Sequence, residues 1–189
     1  MRKVVLASES PRRRELMASL NLNFTTCSSK AKEFFDPSLT IEEALKNVAL
    51  EKAMSGAKQY PNDVVIGADT IVVVDKMILG KPESKEDAKR MLKMLSGRVH
   101  HVYTGVAIVY KEEIDVFYEV TEVTFYELED EMIDAYIATK EPMDKAGSYG
   151  IQAKGALLVK EIRGDYFNIV GLPIGELSRQ LKKFGVDLN

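Results

Sequence analysis

Apolar residues recur along the chain at two spacings, which together predict an α/β fold. Continuous runs of valine and isoleucine predict strands at residues 4–6 and 63–75, and the second run indicates burial on both faces. Apolar residues three or four apart predict helices at 11–20, 41–58, 85–95, 129–139 and 174–184. Further strands are predicted at 24–28, 98–110, 114–128 and 156–162, with 98–110 and 114–128 forming an antiparallel hairpin.

The first predicted helix begins with an unusual charge pattern. Ser10 followed by Pro11 is typical of a helix start, and three arginines at residues 12–14 fill the first turn. Positive charge there opposes the helix dipole by roughly 0.3–1 kcal/mol per residue, unless an anion lies at the helix end. With Ser8 in the preceding turn, the pattern is typical of a phosphate site, but a solvated basic patch explains it equally well.

A lysine lies on the apolar face of the second predicted helix. Thr40 and Glu43 form a capping-box pattern, and Leu45 and Val48 mark the buried stripe on which Lys52 falls. Two interpretations remain open. The ammonium could reach water at the end of an apolar stem, or it could face a phosphate group.

An aspartate interrupts the strongest strand pattern. An ionised carboxylate such as that of Asp69 is costly inside a buried strand unless it is paired or bound to a metal. Gly67, two residues earlier, allows close approach of a ligand or of another backbone. We therefore favour a functional Asp69 over the alternative of a strand break with Asp69 in a turn.

Other charged residues extend this set. Lys81 lies between Gly80 and Pro82, a stiff and exposed position. Glu33 could be a metal ligand, although the residues alone favour a surface carboxylate. Cations and carboxylates around one cleft suit metal-assisted chemistry on a polyphosphate, and no P-loop or dinucleotide-binding glycine motif is present.

Composition narrows the class of protein. The 189 residues are 46% hydrophobic and carry a formal net charge of −3, which disfavours general nucleic-acid binding. A lone Cys27, expected to be small and buried, excludes an intrachain disulfide and indicates a reducing compartment. The sequence lacks a signal peptide and a membrane-span pattern, so we expect a cytoplasmic protein with no membrane or nucleic-acid partner. Adjacent His100 and His101 would face opposite ways in a strand and do not resemble a zinc pair.

Seven short motifs, in order along nearly the whole chain, carry a family resemblance. They are Ser-Glu-Ser-Pro-Arg-Arg at 8–13, Gly-Ala-Asp-Thr at 67–70, Gly-Lys-Pro at 80–82, Ser-Gly-Arg at 96–98, Glu-Pro-Met-Asp-Lys-Ala-Gly at 141–147, Tyr-Gly-Ile-Gln at 149–152 and Gly-Leu-Pro at 171–173. This set resembles the Maf family of nucleoside triphosphate pyrophosphatases, also called septum formation inhibitors.

The resemblance implies a fold and a reaction. We expect one Maf-like domain over residues 1–189, with two lobes around a central cleft and a long twisted mixed β-sheet flanked by helices, similar to inosine triphosphate pyrophosphatases. The family is often dimeric, so a homodimer is an expected form. The implied reaction hydrolyses a nucleoside triphosphate to the monophosphate and pyrophosphate with a divalent metal cation, Mg²⁺ or Mn²⁺.

The resemblance also implies roles for individual residues. Asp69 is the proton acceptor and, with Glu33, a metal ligand. The substrate-binding residues are Ser8, Arg12, Arg13, Lys52, Thr70, Lys81 and Gln152. Among these, the specificity positions Arg12, Thr70 and Gln152 match the branch that hydrolyses dTTP and UTP, and modified pyrimidine nucleotides are further candidate substrates. The branch acting on 7-methyl-GTP differs at these positions.

The sequence departs from the family pattern at two positions, and a second function is also considered. Lys32-Glu33 stands where the family often has Asp-Glu, and Ala153 replaces a glycine after Gln152. The alternative is a nucleotide-sensing regulatory protein that inhibits septum formation through a protein partner. A pure sensor needs neither Asp69 as a base nor a metal, and these two requirements therefore distinguish the hypotheses.

Overall fold

The computed structural model describes residues 2–31 and 33–188, so Lys32 lies outside the described residues. The strands are β1 (Val4–Ala7), β2 (Phe24–Cys27), β3 (Val64–Val74), β4 (Met77–Leu79), β5 (Val99–Tyr110), β6 (Glu113–Phe125) and β7 (Val159–Arg163). The α-helices are α1 (Pro11–Ala18), α2 (Ile41–Ala57), α3 (Lys85–Leu95), α4 (Asp130–Ala138), α5 (Tyr166–Val170) and α6 (Ile174–Lys183). Three 3₁₀ turns occupy Glu141–Asp144, Ala146–Ser148 and Ala153–Leu158.

The strands form one mixed sheet of seven strands. Their order is β2-β1-β3-β5-β6-β7, and β4 pairs with β3. Strand β1 runs parallel to β2 and β3, whereas β4 is antiparallel to β3 and β7 is antiparallel to β6. Parallel and antiparallel pairs in one sheet, with helices between the strands, confirm the predicted α/β class with a mixed sheet.

The chain divides into two compact units. The first comprises Met1–Asp69, Thr104–Glu119 and Gly171–Asn189, and the second comprises Thr70–Tyr103 and Val120–Val170. The core of the first unit contains one cluster of Val5, Ala7 and Val65. A second cluster joins small side chains of α2 to β5 through Ala49, Ala53, Ala107 and Val109.

Helix α2 lies unusually close to the strands of the first unit. A Cβ atom added at Gly67 of β3 would lie 2.4 Å from the Ala53 nitrogen and 2.6 Å from the Ala49 oxygen. At Gly105 of β5, an added Cβ would lie 3.0 Å from the Leu45 oxygen. Glycine is therefore needed at both strand positions because the helix backbone occupies the space of a side chain.

The second unit contains strand β4 and the helices α3, α4 and α5. Strand β4 follows the tight turn at Asp75 and Lys76, which both have positive φ values, as a two-residue hairpin turn requires. Lys89 of α3 pairs with Asp134 of α4, with Nζ–Oδ1 at 2.7 Å. Asn168 of α5 is fully buried, and its amide nitrogen donates to the Val102 carbonyl at 2.9 Å.

Most element boundaries lie within two residues of the sequence predictions, and the larger differences are at two strands. The strand predicted at 114–128 ends three residues too late, because β6 ends at Phe125. The predicted strand at 156–162 begins three residues too early, because Ala153–Leu158 forms a 3₁₀ turn and β7 begins at Val159. A Cβ at Gly155 would lie 1.9 Å from the Gly150 oxygen, so the chain folds back on itself here and cannot extend. Helix α5 was not expected, and Asp165 Oδ1 accepts the Phe167 N–H at its start, at 2.8 Å.

The histidine and cysteine predictions have opposite outcomes. His100 is completely buried and His101 is partly exposed, which confirms that the two side chains face opposite ways. Cys27 is half-buried, so the expectation of a buried thiol was wrong. Strand β2 lies at the edge of the sheet next to β1, and its side chains are at most partly covered. Among the described residues, no helix is both long and apolar enough to cross a bilayer.

Candidate active site

The start of α1 holds the first group of predicted substrate contacts. Ser10 caps the helix by accepting the Arg13 N–H at 3.4 Å, as the sequence predicted. Ser8 is buried, and its hydroxyl oxygen accepts the Ser10 N–H at 3.3 Å and Arg13 Nη1 at 3.4 Å. The two serines and the helix start therefore form one hydrogen-bonded unit with Arg13.

Arg13 is held in place from a second side. Its Nε donates to the Gly171 carbonyl at 2.8 Å, so residues far apart in sequence fix the guanidinium. Burial lowers the pKa of Arg13, while the charge of Asp69 opposes that shift. Arg12 is half-buried beside it and lowers the pKa of Arg13 further. Arg12 and Arg13 are thus partly covered by protein, whereas Arg14 is exposed.

Lys52 joins two carboxylates at the centre of the first unit. Its Nζ lies 2.6 Å from Asp69 Oδ1 and 2.7 Å from Glu33 Oε1. Lys52 is 8% exposed and Asp69 is 7% exposed, whereas about half of the Glu33 side chain (51%) is exposed. Snorkelling to bulk water is therefore wrong for Lys52, and its ammonium is shared between carboxylates.

Strand β3 presents Asp69 at this position. The strand is buried along almost its whole length, and Asp69 lies within it rather than in a turn. Lys52 reaches the carboxylate because α2 packs directly against Gly67, two residues before Asp69. The closeness of α2 to β3 thus accounts for a buried lysine on the apolar face of a helix.

The residues at this centre suit a hard cation as well as an anion. Asp69 and Glu33 both direct a carboxylate oxygen to Lys52 Nζ, so the two carboxylates lie close together. Mg²⁺ is commonly held by one or two carboxylates together with substrate phosphates. Across residues 2–31 and 33–188, no group of three or more histidine, cysteine, aspartate or glutamate side chains could hold a metal ion. The protein alone therefore provides two carboxylates here, the number that suits an ion shared with a phosphate.

The second unit holds the remaining predicted substrate contacts. Thr70 is half-buried in β3, and Lys81 and Gln152 are exposed. The neighbour of Lys81 is fixed, since the Gly147 N–H donates to the Gly80 carbonyl at 3.0 Å. Gln152 lies in a short loop that precedes the last 3₁₀ turn.

Sequence reasoning missed two features of the site. It gave no partner to Arg13, although Gly171 belongs to a motif that the sequence singled out. It also gave no role to Glu141, whose carboxylate accepts the backbone N–H of Gly155 at 3.1 Å. The presence of both residues in family motifs was the available signal, but only the folded chain shows what each contacts.

The fold is that of an α/β protein with a mixed sheet, and its first unit carries a buried lysine in contact with two carboxylates. A family model described as "Maf-like protein" matches residues 3–184. The chain belongs to the Maf family.

Comparisons with individual proteins show how similar this chain is to each of them. It is 50% identical over 188 residues to a Bacillus anthracis (strain CDC 684 / NRRL 3495) protein named dTTP/UTP pyrophosphatase, covering 100% of this chain and 98% of the relative. A Bacillus mycoides protein of the same name is 51% identical with the same coverage. The solved Staphylococcus aureus Ham1 protein is 17% identical, with a TM-score of 0.46 over 65% of this chain and 71% of that one.

Proposed function

We propose that this chain hydrolyses dTTP and UTP to the nucleoside monophosphate and pyrophosphate. Full-length relatives at about 50% identity carry the name dTTP/UTP pyrophosphatase, which supports this activity. The observation that carries the proposal within the molecule is the buried Asp69 carboxylate, which Lys52 contacts at 2.6 Å. A buried acid held next to cations is the arrangement that water activation beside a polyphosphate needs.

Three cations and one hydroxyl group would bind the triphosphate. The proposed phosphate contacts are Ser8, Arg13, Lys52 and Lys81. Arg13 suits this role because Ser8 and the Gly171 carbonyl already fix its guanidinium, so little side-chain entropy would be lost on binding. These charges would stabilise the negative charge that builds on the transferring and leaving groups.

Asp69 would act as the general base. Its carboxylate accepts a proton from a water molecule whose oxygen attacks the α-phosphorus. The bond from the α-phosphorus to the oxygen bridging the α- and β-phosphates breaks, and pyrophosphate leaves with that oxygen. Lys52 would hold the Asp69 side chain in place, since its ammonium donates to Asp69 Oδ1 at 2.6 Å.

A divalent cation, Mg²⁺ or Mn²⁺, is part of this proposal. Asp69 and Glu33 would hold it, because both carboxylates contact the same atom, Lys52 Nζ, and therefore lie close to each other. When bound, such an ion neutralises phosphate charge and favours the departure of pyrophosphate. Arg12, Thr70 and Gln152 would contact the base. The single two-lobed domain, the homodimer and the absence of a nucleic-acid partner remain predictions.

Pyrophosphate release tests the activity directly. The purified chain is incubated with dTTP, UTP, dCTP and 7-methyl-GTP, with Mg²⁺ or with EDTA. Metal-dependent release from dTTP and UTP, with the monophosphate as co-product, is expected. Release from 7-methyl-GTP alone would overturn the specificity, and silence across the panel from folded protein would favour the regulatory alternative.

A single substitution tests the role of Asp69. Asp69→Asn should lower turnover of dTTP by a hundredfold or more, since a positioned general base contributes roughly 10²–10⁴ in rate. The matched control is Asp187→Asn, which changes an exposed carboxylate near the end of the chain. Full activity of the Asp69→Asn protein would refute the assignment.

A further inference from the structure

The loop that carries Gln152 is closed at its base. We use the name Gln152 loop for residues 150–155. At one end, the Gly155 backbone packs against the Gly150 carbonyl so closely that an added Cβ would lie 1.9 Å from that oxygen. Ile151 is buried, whereas Gln152 is exposed. The loop therefore projects Gln152 from a fixed base.

One carboxylate anchors that base. Glu141 Oε1 accepts the Gly155 N–H at 3.1 Å, and Glu141 Oε2 accepts the Lys154 N–H at 3.4 Å. The Tyr136 hydroxyl donates to Glu141 Oε1 at 3.1 Å and accepts the Gly150 N–H at 3.3 Å. Glu141 thus holds the C-terminal end of the loop directly and the N-terminal end through Tyr136.

Neighbouring groups maintain the hydrogen bonds of Glu141. Burial raises the pKa of Tyr136, so its hydroxyl remains a donor at neutral pH. Lys145 Nζ donates to the Glu141 carbonyl oxygen at 2.6 Å, which fixes the backbone that carries the carboxylate. Both sides of the anchor are therefore immobilised by groups in the same unit.

The backbone around the anchor is strained in a way that requires restraint. Lys140, Ser148 and Ala153 have φ values of 64°, 60° and 50°, a region that non-glycine residues rarely adopt. Such conformations persist only where the surrounding contacts over-determine them, and they cluster at ligand-binding segments. The hydrogen bonds of Glu141 supply contacts of this kind on both sides of Gln152.

We propose that Glu141 is a positioning residue that fixes the Gln152 loop for recognition of the pyrimidine base. This inference rests on the proposed function, because it gives Gln152 its contact with the base. Glu141 itself does not touch the substrate, and it acts through the backbone of residues 150–155. Loss of the anchor should weaken nucleotide binding and base selectivity while leaving the chemical step intact.

Two substitutions disrupt the anchor without removing the loop. Glu141→Gln replaces one of the two acceptor oxygens with an amide nitrogen, so that either the Gly155 N–H or the Lys154 N–H loses its acceptor. Tyr136→Phe removes the hydroxyl that links Glu141 to Gly150. The matched control is Glu112→Gln, an exposed carboxylate in the turn after β5.

Hydrogen–deuterium exchange measures the anchor without reference to activity. In Glu141→Gln, amide exchange in the peptide covering residues 150–155 should rise roughly tenfold, and in the control it should stay at the wild-type rate. Unchanged exchange in both Glu141→Gln and Tyr136→Phe would overturn the anchor. Hydrogen–deuterium exchange tests the anchor even if the wild-type protein is inactive on dTTP. Such inactivity would refute the proposed function but not the anchor.

Steady-state kinetics with dTTP and dCTP measure the consequence for recognition. Glu141→Gln should raise the KM for dTTP roughly tenfold, reduce the preference for dTTP over dCTP, and change kcat by no more than about twofold. On a Gln152→Ala background, adding Glu141→Gln should raise KM no further, because both changes remove the same contact. A fall in kcat with KM and base preference unchanged would overturn the positioning role.

Discussion

Removing the ammonium of Lys52 is the most informative perturbation of the first unit. Lys52→Met keeps most of the apolar stem but leaves the Asp69 carboxylate, 7% exposed, without the cation that lies 2.6 Å away. Breaking a buried ion pair by removing one partner costs about 3–5 kcal/mol, against about 0–1 kcal/mol for an exposed pair. Because both groups are buried, the larger range applies.

Two neighbours place the expected cost at the lower end of that range. Arg13 is close enough to Asp69 for their charges to interact, and it partly compensates for the missing ammonium. Glu33, with half of its side chain exposed, can turn to water and contributes little. We therefore expect a loss of about 3 kcal/mol in the free energy of unfolding, which lowers Tm by about 6–12 °C in a chain of this size.

Urea denaturation is the appropriate assay. The midpoint should fall at an unchanged m value, which shows that stability changed and compactness did not. Adding Asp69→Asn to Lys52→Met should restore much of the loss, because the buried negative charge is then gone. Lys160→Met, at an exposed position of β7, is the control and should shift stability by less than about 0.5 kcal/mol.

One result would refute this reasoning. If Lys52→Met and Lys160→Met unfold at the same urea concentration, the Lys52–Asp69 pair is screened as a surface pair would be. The claim that the Lys52 ammonium stabilises the Asp69 carboxylate as a buried ion pair would then fail, and with it the argument that Lys52 holds Asp69 in place for the reaction.

Two further predictions concern other parts of the chain. Burial lowers the pKa of His100 to about 3, whereas an unfolded histidine titrates near pH 6.5. Its contribution to stability is therefore complete above pH 6.5 and is lost as the pH falls, by about 2 kcal/mol at pH 5. Urea midpoints at pH 7 and pH 5 should show this slope in wild type and in His101→Phe but not in His100→Phe, and an equal slope in His100→Phe would contradict it. Ala153→Gly relieves a φ of 50° and should raise stability by about 1 kcal/mol, or Tm by about 2–4 °C. An unchanged thermal midpoint would show that Ala153 carries no strain.

Local patterns were sufficient to predict most of the fold. The run of valine and isoleucine around Asp69 predicted β3 to within a residue at each end, and the spacing of apolar residues predicted α3 at residues 85–95. Thr40 and Glu43 form the predicted capping box, because that motif depends only on residues three apart. Periodicity and capping are properties of neighbours in sequence, so a single sequence contains them.

The partners of the site residues could not be predicted in this way. The sequence placed Lys52 on an apolar face and left its role open, since the ion pair with Asp69 depends on how closely α2 approaches β3. That distance is set by Gly67 and the small residues of α2, whose combined effect appears only when the two elements pack. The 3₁₀ turn before β7 escaped prediction for the same reason, because it depends on the meeting of Gly150 and Gly155.

The close packing at Gly67 also determines which substitutions α2 can accept. Since one methyl group there would overlap the Ala53 backbone, the helix already packs in direct contact with the strand backbone and cannot move closer to it. Lys52 precedes Ala53 directly, so its backbone is held at a fixed distance from β3, and reactive groups need to be placed within about 0.5 Å. Engineers can redesign the solvent-facing side of α2, but a larger residue at Ala49 or Ala53 would move the lysine away from its carboxylate.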